Sequence, residues 1–294
     1  MTGFSMLPRH LFGAIALSFA AHALAAPGPL TLDVYNPGAT AIFPVSSVLV
    51  SGEKDAILVD AQFGKAQAMQ VVDKIRASGK HLTQIYISHG DPDYYFGLDT
   101  LTQAFPDAQV VASAPTVEHI VKTKDAKLAF WGPQMGTDAP RKLIVPDVLK
   151  GNTLDLEGQE LDIVGLNSRQ PDRSFVWIPS LKAVVGGVVV ADNLHVWMAD
   201  TQTPQSHKQW LATLKRIDSL QPSIVVPGHY LGANDRSLSS VHFTRDYIKA
   251  FDEHAVKANN ADELIAAMKQ RYPDLGEVSS LELSAKVAKG EMKW

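Results

Sequence analysis

Ser88-His89-Gly90-Asp91-Pro92-Asp93-Tyr94 directly follows the apolar run Ile85-Tyr86-Ile87. One imidazole and two carboxylates at alternate positions, just past a strand, can converge on a divalent ion. Gly, Asp and Pro are also ordinary turn residues, so the stretch alone reads equally as a surface turn. A second histidine shifts the balance. His229 closes Ser223-Ile224-Val225-Val226-Pro227-Gly228-His229, where a buried-type strand and a Pro-Gly turn present it at a strand end. The chain has no cysteine, so any ion must be held by His, Asp or Glu, and no cysteine nucleophile exists.

The elements around these residues are legible from pattern. Val48-Leu49-Val50 and Ala56-Ile57-Leu58-Val59-Asp60 read as strands separated by a Gly52-Glu53-Lys54-Asp55 turn. Residues 65–78 read as a helix with Met69, Val72 and Ile75 on one face and Gly79 as its stop. Residues 84–87 form a strand, 98–104 a helix and 109–112 another strand. In the second half, strands are expected over 154–165, 174–178 and 183–187, with Phe130-Trp131-Gly132-Pro133 in a loop. Thr203-Pro204 caps a helix striped by Trp210, Leu211, Leu214 and Ile217. Helices over 238–257 and 261–270 close the chain. Strand pairs followed by helices, twice over, imply an α/β fold of two packed sheets with helices outside.

The 294 residues suffice for a well-buried core. Arg9 and His10 precede the apolar run from Leu11 to Ala21, and Ala23-Leu24-Ala25 offers small residues at a cleavage site. Residues 1–25 therefore read as a secretory signal peptide cleaved after Ala25, and 26–294 as one domain, periplasmic or secreted. Removing Arg9 leaves 26 basic against 31 acidic residues, so the formal charge moves from −4 to −5. Nothing in that balance draws the chain to nucleic acid or an anionic membrane, which leaves a small-molecule substrate open. An exported chain without cysteine lacks disulfides, which favours a periplasm.

In this order, the motifs resemble the metallo-β-lactamase superfamily. The family's T-H-x-H-x-D-H is similar to Ser88-His89-Gly90-Asp91-Pro92-Asp93-Tyr94, its early strand-ending Asp to Asp60, and its P-G-H turn to Pro227-Gly228-His229. Its middle segment resembles Asp172-Arg173-Ser174-Phe175-Val176-Trp177-Ile178-Pro179, followed by Ala183-Val184-Val185-Gly186-Gly187. The resemblance implies an αββα sandwich, two mixed sheets between outer helices. It also implies a metal-dependent hydrolase in which ion-activated water attacks an ester, lactone or amide. Zinc, as one or two ions, is the family expectation, with iron or manganese as alternatives. The implied ligands are His89, Asp93 and His229, with Asp91 and His195 as replacements. Asp91 stands where the second signature His belongs, Tyr94 where the third does, and the middle His falls near Arg169 or Gln170.

Asp93 would orient the attacking hydroxide. Tyr94 would donate to a substrate oxyanion, bind iron, or wall the pocket together with Tyr95 and Phe96. Asp192 and Asp200 could orient His195, which reads otherwise as a packed, hydrogen-bonded residue. His119, His207, His242 and His254 read as surface. The substitutions keep a second reading open: a redox-type or purely ligand-binding member of the same fold.

Overall fold

The computed structural model describes residues 1–3 and 28–294, so all but the first three residues of the expected signal peptide lie outside the described residues. Two sheets carry the architecture. The first has strands β1 (Thr31–Tyr35), β2 (Ser47–Ser51), β3 (Asp55–Val59), β4 (His81–Ile87), β5 (Gln109–Ala112) and β6 (Asp147–Val148), in that spatial order. The second has β7 (Thr153–Leu156), β8 (Gln159–Val164), β9 (Phe175–Ile178), β10 (Ala183–Val185) and β12 (Ile224–Val225), ordered β12-β10-β9-β8-β7. A short parallel pair, β11 (Ala191–Asp192) and β13 (His229–Tyr230), stands apart from both.

Strand alternation explains the layers, because successive side chains leave opposite faces of a sheet. Val48, Val50, Ile57, Val59 and Tyr86 point into the core between the sheets. Leu49, Leu58, Ile85 and Ile87, their neighbours in sequence, point to an outer core. That outer core is covered by α1 (Lys65–Ser78), α3 (Leu98–Ala104) and α4 (Ala114–Met135). The far face of the second sheet is covered by α5 (Pro204–Ser219), α6 (Ser239–Lys257), α7 (Ala261–Arg271) and α8 (Val278–Ala288). The fold is therefore the expected αββα sandwich, with both sheets mixed. No described helix is long and apolar enough to cross a membrane.

The helix over 65–78 matches its expected span, and Gly79 ends it at φ +66°. Thr203 caps α5 through a reciprocal box with Ser206. Three local expectations need correction. The strand expected over 154–165 is a hairpin, because Glu157 and Gly158 both take positive φ and turn the chain in two residues. Trp131 is not in a loop but in the last turns of the 22-residue α4, where Pro133 is tolerated close to the end. His207 is not a surface residue: it is 6% exposed and its Nδ1 meets the Asp252 carboxylate.

The site loop is held by a backbone zipper. Ala61 N–H donates to Tyr94 O at 2.7 Å, and Gly97 N–H donates to Gln62 O at 2.8 Å. This brings the exit of β3 against the short helix α2 (Pro92–Tyr95). A Cβ at Gly97 would lie 1.9 Å from Ala61 O. Gly97→Ala must push two backbones apart, and a loss of about 3 kcal/mol in folding stability is expected. Urea unfolding of the purified variant measures it, and a loss below about 1 kcal/mol would contradict this account of the contact.

Candidate functional site

Each expected site residue sits where a strand of one sheet or the β11–β13 pair ends. β4 delivers Ser88 and His89, and α2 starts at Pro92, so Asp91 and Asp93 flank its first residue. His229 is placed by pairing with Ala191 and by a bridge to Val45, while Ser46 N–H donates to Gly228 O at 2.8 Å. Gly228 is required here: a Cβ would meet the Gly187 carbonyl at 2.2 Å and the Tyr94 hydroxyl at 3.0 Å. Asp60, the first residue past β3, is buried at φ +68°. It accepts from Ser88 N–H at 2.8 Å and Ser88 Oγ–H at 2.7 Å, and Ser88 Oγ in turn accepts from Gly187 N–H at 2.7 Å. One carboxylate thus ties the site loop to the second sheet.

The four central donors form two pairs. His89 Nε2 lies 3.2 Å from Asp91 Oδ2, and His89 Nδ1–H donates to the Asp172 carbonyl at 3.0 Å. His229 Nε2 lies 2.7 Å from Asp93 Oδ2, and its Nδ1 accepts from the Tyr94 hydroxyl at 3.2 Å. The Tyr94 ring packs edge-on against both imidazoles, with centroids 5.3 Å from His89 and 5.5 Å from His229.

The charge around Asp91 is compensated several times over. Lys127 Nζ is 3.6 Å from its Oδ1 and His119 Nε2 is 3.9 Å away. Burial works against the Asp91 charge, but His89, Lys127 and His119 outweigh it and hold the carboxyl below the ordinary carboxylate range. Burial likewise works against a charged His89, and Asp91 more than offsets it, so the imidazole pKa is raised. Arg173 lies behind this group, 5% exposed, with its guanidinium 4.2 Å over the Trp210 ring. Asp200, Asp172, Asp91 and Tyr94 all face it electrostatically.

These pairs open on a cleft of about 660 Å³. Asp91, Asp93, His229 and Lys127 line one side, and four of the five tryptophans line the rest: Trp131, Trp197, Trp210 and Trp294. Lys127 Nζ lies 4.8 Å from the Trp294 ring centroid, and Asp200 accepts from the indole N–H groups of both Trp197 and Trp294.

His195 shares the cleft wall, yet it is 1% exposed and its Nδ1 meets the Tyr247 hydroxyl at 3.1 Å. Burial pulls its pKa down to about 4, so it is a packed neutral imidazole. Neither carboxylate expected to orient it does so: Asp192 takes Asn234 and Asp200 takes the two indoles. Tyr94 is 0% exposed and turned to His229, so it positions that ring instead of reaching a substrate oxyanion. His119 is not a plain surface residue but stands against Gly90 and Asp91. Sequence reasoning missed Lys127 and Arg173 as site residues. Arg173, inside the quoted Asp172-Arg173-Ser174 segment, gave the one available signal: a charged residue leading an apolar strand.

The expected metal does not fit this donor set. Among the described residues, no three His, Asp or Glu side chains are arranged to hold one ion, although His119 Nε2 stands 3.9 Å from Asp91. Each pair supplies two donors where a catalytic zinc takes three from the protein. Both ring nitrogens of His89 and both of His229 already have partners. Tyr94→Phe deletes one of those partners, and a loss of about 1 kcal/mol is expected, read as a lower urea midpoint.

Comparison with known proteins bears on the family. The profile described as Metallo-beta-lactamase superfamily matches residues 41–229, more than half of the chain. A beta-lactamase domain protein from Burkholderia ambifaria superposes with a TM-score of 0.63 at 14% identity, covering 88% of this chain and 84% of that one. A metallo-beta-lactamase family protein from Thermus thermophilus gives 0.60 at 16%, covering 88% and 91%. A metallo-beta-lactamase from Pontibacter korlensis gives 0.53 at 19%, covering 75% and 93%. At such identities the likeness concerns the fold. The Bacillus subtilis (strain 168) protein described as "Uncharacterized protein YobT" is 36% identical over 73 residues, 25% of this chain, and the match spans only 31% of that relative. The profile match across both histidine-bearing strand ends, on an αββα sandwich, makes this chain a member of the metallo-β-lactamase superfamily.

Proposed function

We propose that this chain is an exported hydrolase acting on a small ester, lactone or amide-type substrate in the tryptophan-lined cleft. The observation that carries the reading is the Asp93–His229 pair, 2.7 Å apart and open to that cleft. A carboxylate braced by an imidazole can take a proton from water as that water attacks a carbonyl carbon. The electrons displaced from the C=O bond pass to its oxygen, and Lys127, facing the same side of the cleft, stabilises that oxyanion. Collapse of the tetrahedral species expels the alcohol or amine, which takes the proton back from Asp93. Tyr94 keeps the His229 ring in register throughout. Superfamily membership supports hydrolysis as the class, and the signal-like residues 1–25 support export.

The test is a panel of aryl esters, lactones and β-lactams assayed with protein 26–294, its His229→Ala variant and its Asp93→Asn variant. Turnover that collapses in both variants supports the reading. Turnover that survives in both, or no turnover on any substrate class, overturns it. The wall of four tryptophans favours one second reading, a ligand-binding protein without turnover. Saturable quenching of indole fluorescence by compounds that are recovered unchanged would favour it. N-terminal sequencing of the protein from the periplasmic fraction tests cleavage after Ala25.

A further inference from the structure

We propose that this centre carries its cation within the chain, as the Arg173 guanidinium supported by Lys127, and that it takes up no divalent metal ion. This arrangement of charge does not depend on whether the cleft hydrolyses anything.

Arg173 is an unusual residue to bury. It is only 5% exposed, yet among the described residues no carboxylate lies within ion-pair distance and its Nε and Nη2 have no hydrogen-bond partner. An unpaired buried guanidinium costs several kcal/mol unless nearby charge compensates it. Burial works against the charge, and the carboxylates of Asp200, Asp172 and Asp91 offset part of that cost, together with the Trp210 face against which the guanidinium stacks. Arg keeps its charge under all conditions relevant here, so it is a permanent cation beside these acids.

The acids see the same arrangement from the other side. Asp91 already has His89 at 3.2 Å, Lys127 at 3.6 Å and His119 at 3.9 Å. A divalent ion entering beside Asp91 would meet Arg173 and Lys127 as like charges in a poorly solvated pocket, where repulsion is strong. His119 Nε2 has no hydrogen-bond partner and stands 3.9 Å from Asp91 Oδ1, but a second nitrogen donor would be gained only by breaking the His89–Asp91 or His229–Asp93 contact. Two obstacles therefore act together: the lone pairs of His89 and His229 are engaged, and the charge an ion would bring is already present. The residues that face Arg173 come from the β4–α2 loop, the segment before β9 and the segment before α5. The guanidinium thus sits in the field of acids from both halves of the fold without bonding to any of them.

The experiment is elemental analysis of protein 26–294 produced in zinc-supplemented medium and purified without chelator, followed by zinc titration against a chromophoric competitor. The wild type is expected to hold far less than one equivalent of zinc and to show no melting shift with zinc or EDTA. Arg173→Met removes the internal cation and keeps the stem; it is expected to bind zinc at least about tenfold more tightly than the wild type. Arg173→Lys, which keeps the charge, is expected to stay as weak as the wild type, an outcome that a purely structural role would not produce. Zinc, iron or manganese at one or two equivalents in the wild type overturns the proposal, as does equal zinc affinity in wild type and Arg173→Met. If Arg173→Met fails to fold, the wild-type stoichiometry and melting response alone decide. Metal-free wild type that hydrolyses nothing would sink the hydrolase reading and leave this one standing.

Discussion

Asp93→Asn is expected to lower kcat on any substrate of the cleft by about 10²–10⁴-fold, with KM changed little, because the change removes the proton acceptor and keeps the shape. The side-chain amide oxygen can still accept from His229 Nε2–H across the present 2.7 Å contact, so the imidazole keeps its place. Asp93 is 5% exposed and lies in the first turn of a short helix that packs on α4, so the isosteric amide creates no cavity. The unfolding midpoint should therefore move little while turnover collapses. Those two readouts separate a reacting carboxylate from a structural one. Turnover within about tenfold of wild type would remove Asp93 from the reaction. Equal losses of stability and activity would show that it only holds the loop. His229→Ala is less clean, because it also strips Tyr94 of its acceptor and leaves a buried phenol unpaired.

Why the four donors were legible, while their grouping was not, follows from how each is placed. His89 and His229 each follow an apolar strand and are carried to its end by pattern alone, so periodicity locates them. The helices over 65–78 and from Pro204 announce themselves through Gly79 and the Thr203-Pro204 cap. α4 gave no such clean signal. Its Gly132-Pro133 pair reads as a turn, yet a proline this near the end, lacking an N–H, forfeits only the bond to residue 129. That misplaced Trp131, and with the helix unrecognised Lys127 had no reason to face Asp91. Arg173 and Asp200 are brought together from segments 27 residues apart, and both indoles on Asp200 come from outside the motif region. Local pattern fixes where a side chain leaves the backbone. Which charge it meets is decided by packing between layers, and that decides whether a His-Asp set is a metal site or two hydrogen-bonded pairs.

Folding stability should fall as pH rises from about 4 to about 7, and Asp60 should be the cause of a large part of that fall. Burial pushes the Asp60 carboxyl up to about 7, against the opposing effect of its two hydrogen bonds from Ser88. In the unfolded chain the same group titrates near 3.9. Between those values the native state binds a proton that the unfolded state has lost, so stability declines with increasing pH there and levels off above. The full interval corresponds to about 4 kcal/mol, an upper figure for a carboxyl as deeply buried as this one. Other groups act in both directions. Asp91, held below its ordinary range, contributes stability that is lost only as pH falls through the acid region, while His89, raised, loses its contribution above its ordinary value. Subtraction isolates Asp60. Asp60→Asn cannot ionise, so the stability of wild type minus that of the variant should shrink by up to about 3 kcal/mol between pH 4.5 and pH 8, measured by urea unfolding at each pH. A difference that stays constant across this range would mean that Asp60 is charged throughout. Its two Ser88 hydrogen bonds, and the Gly187 N–H that Ser88 accepts, would then outweigh its burial, and the tie between the two sheets would rest on an anion.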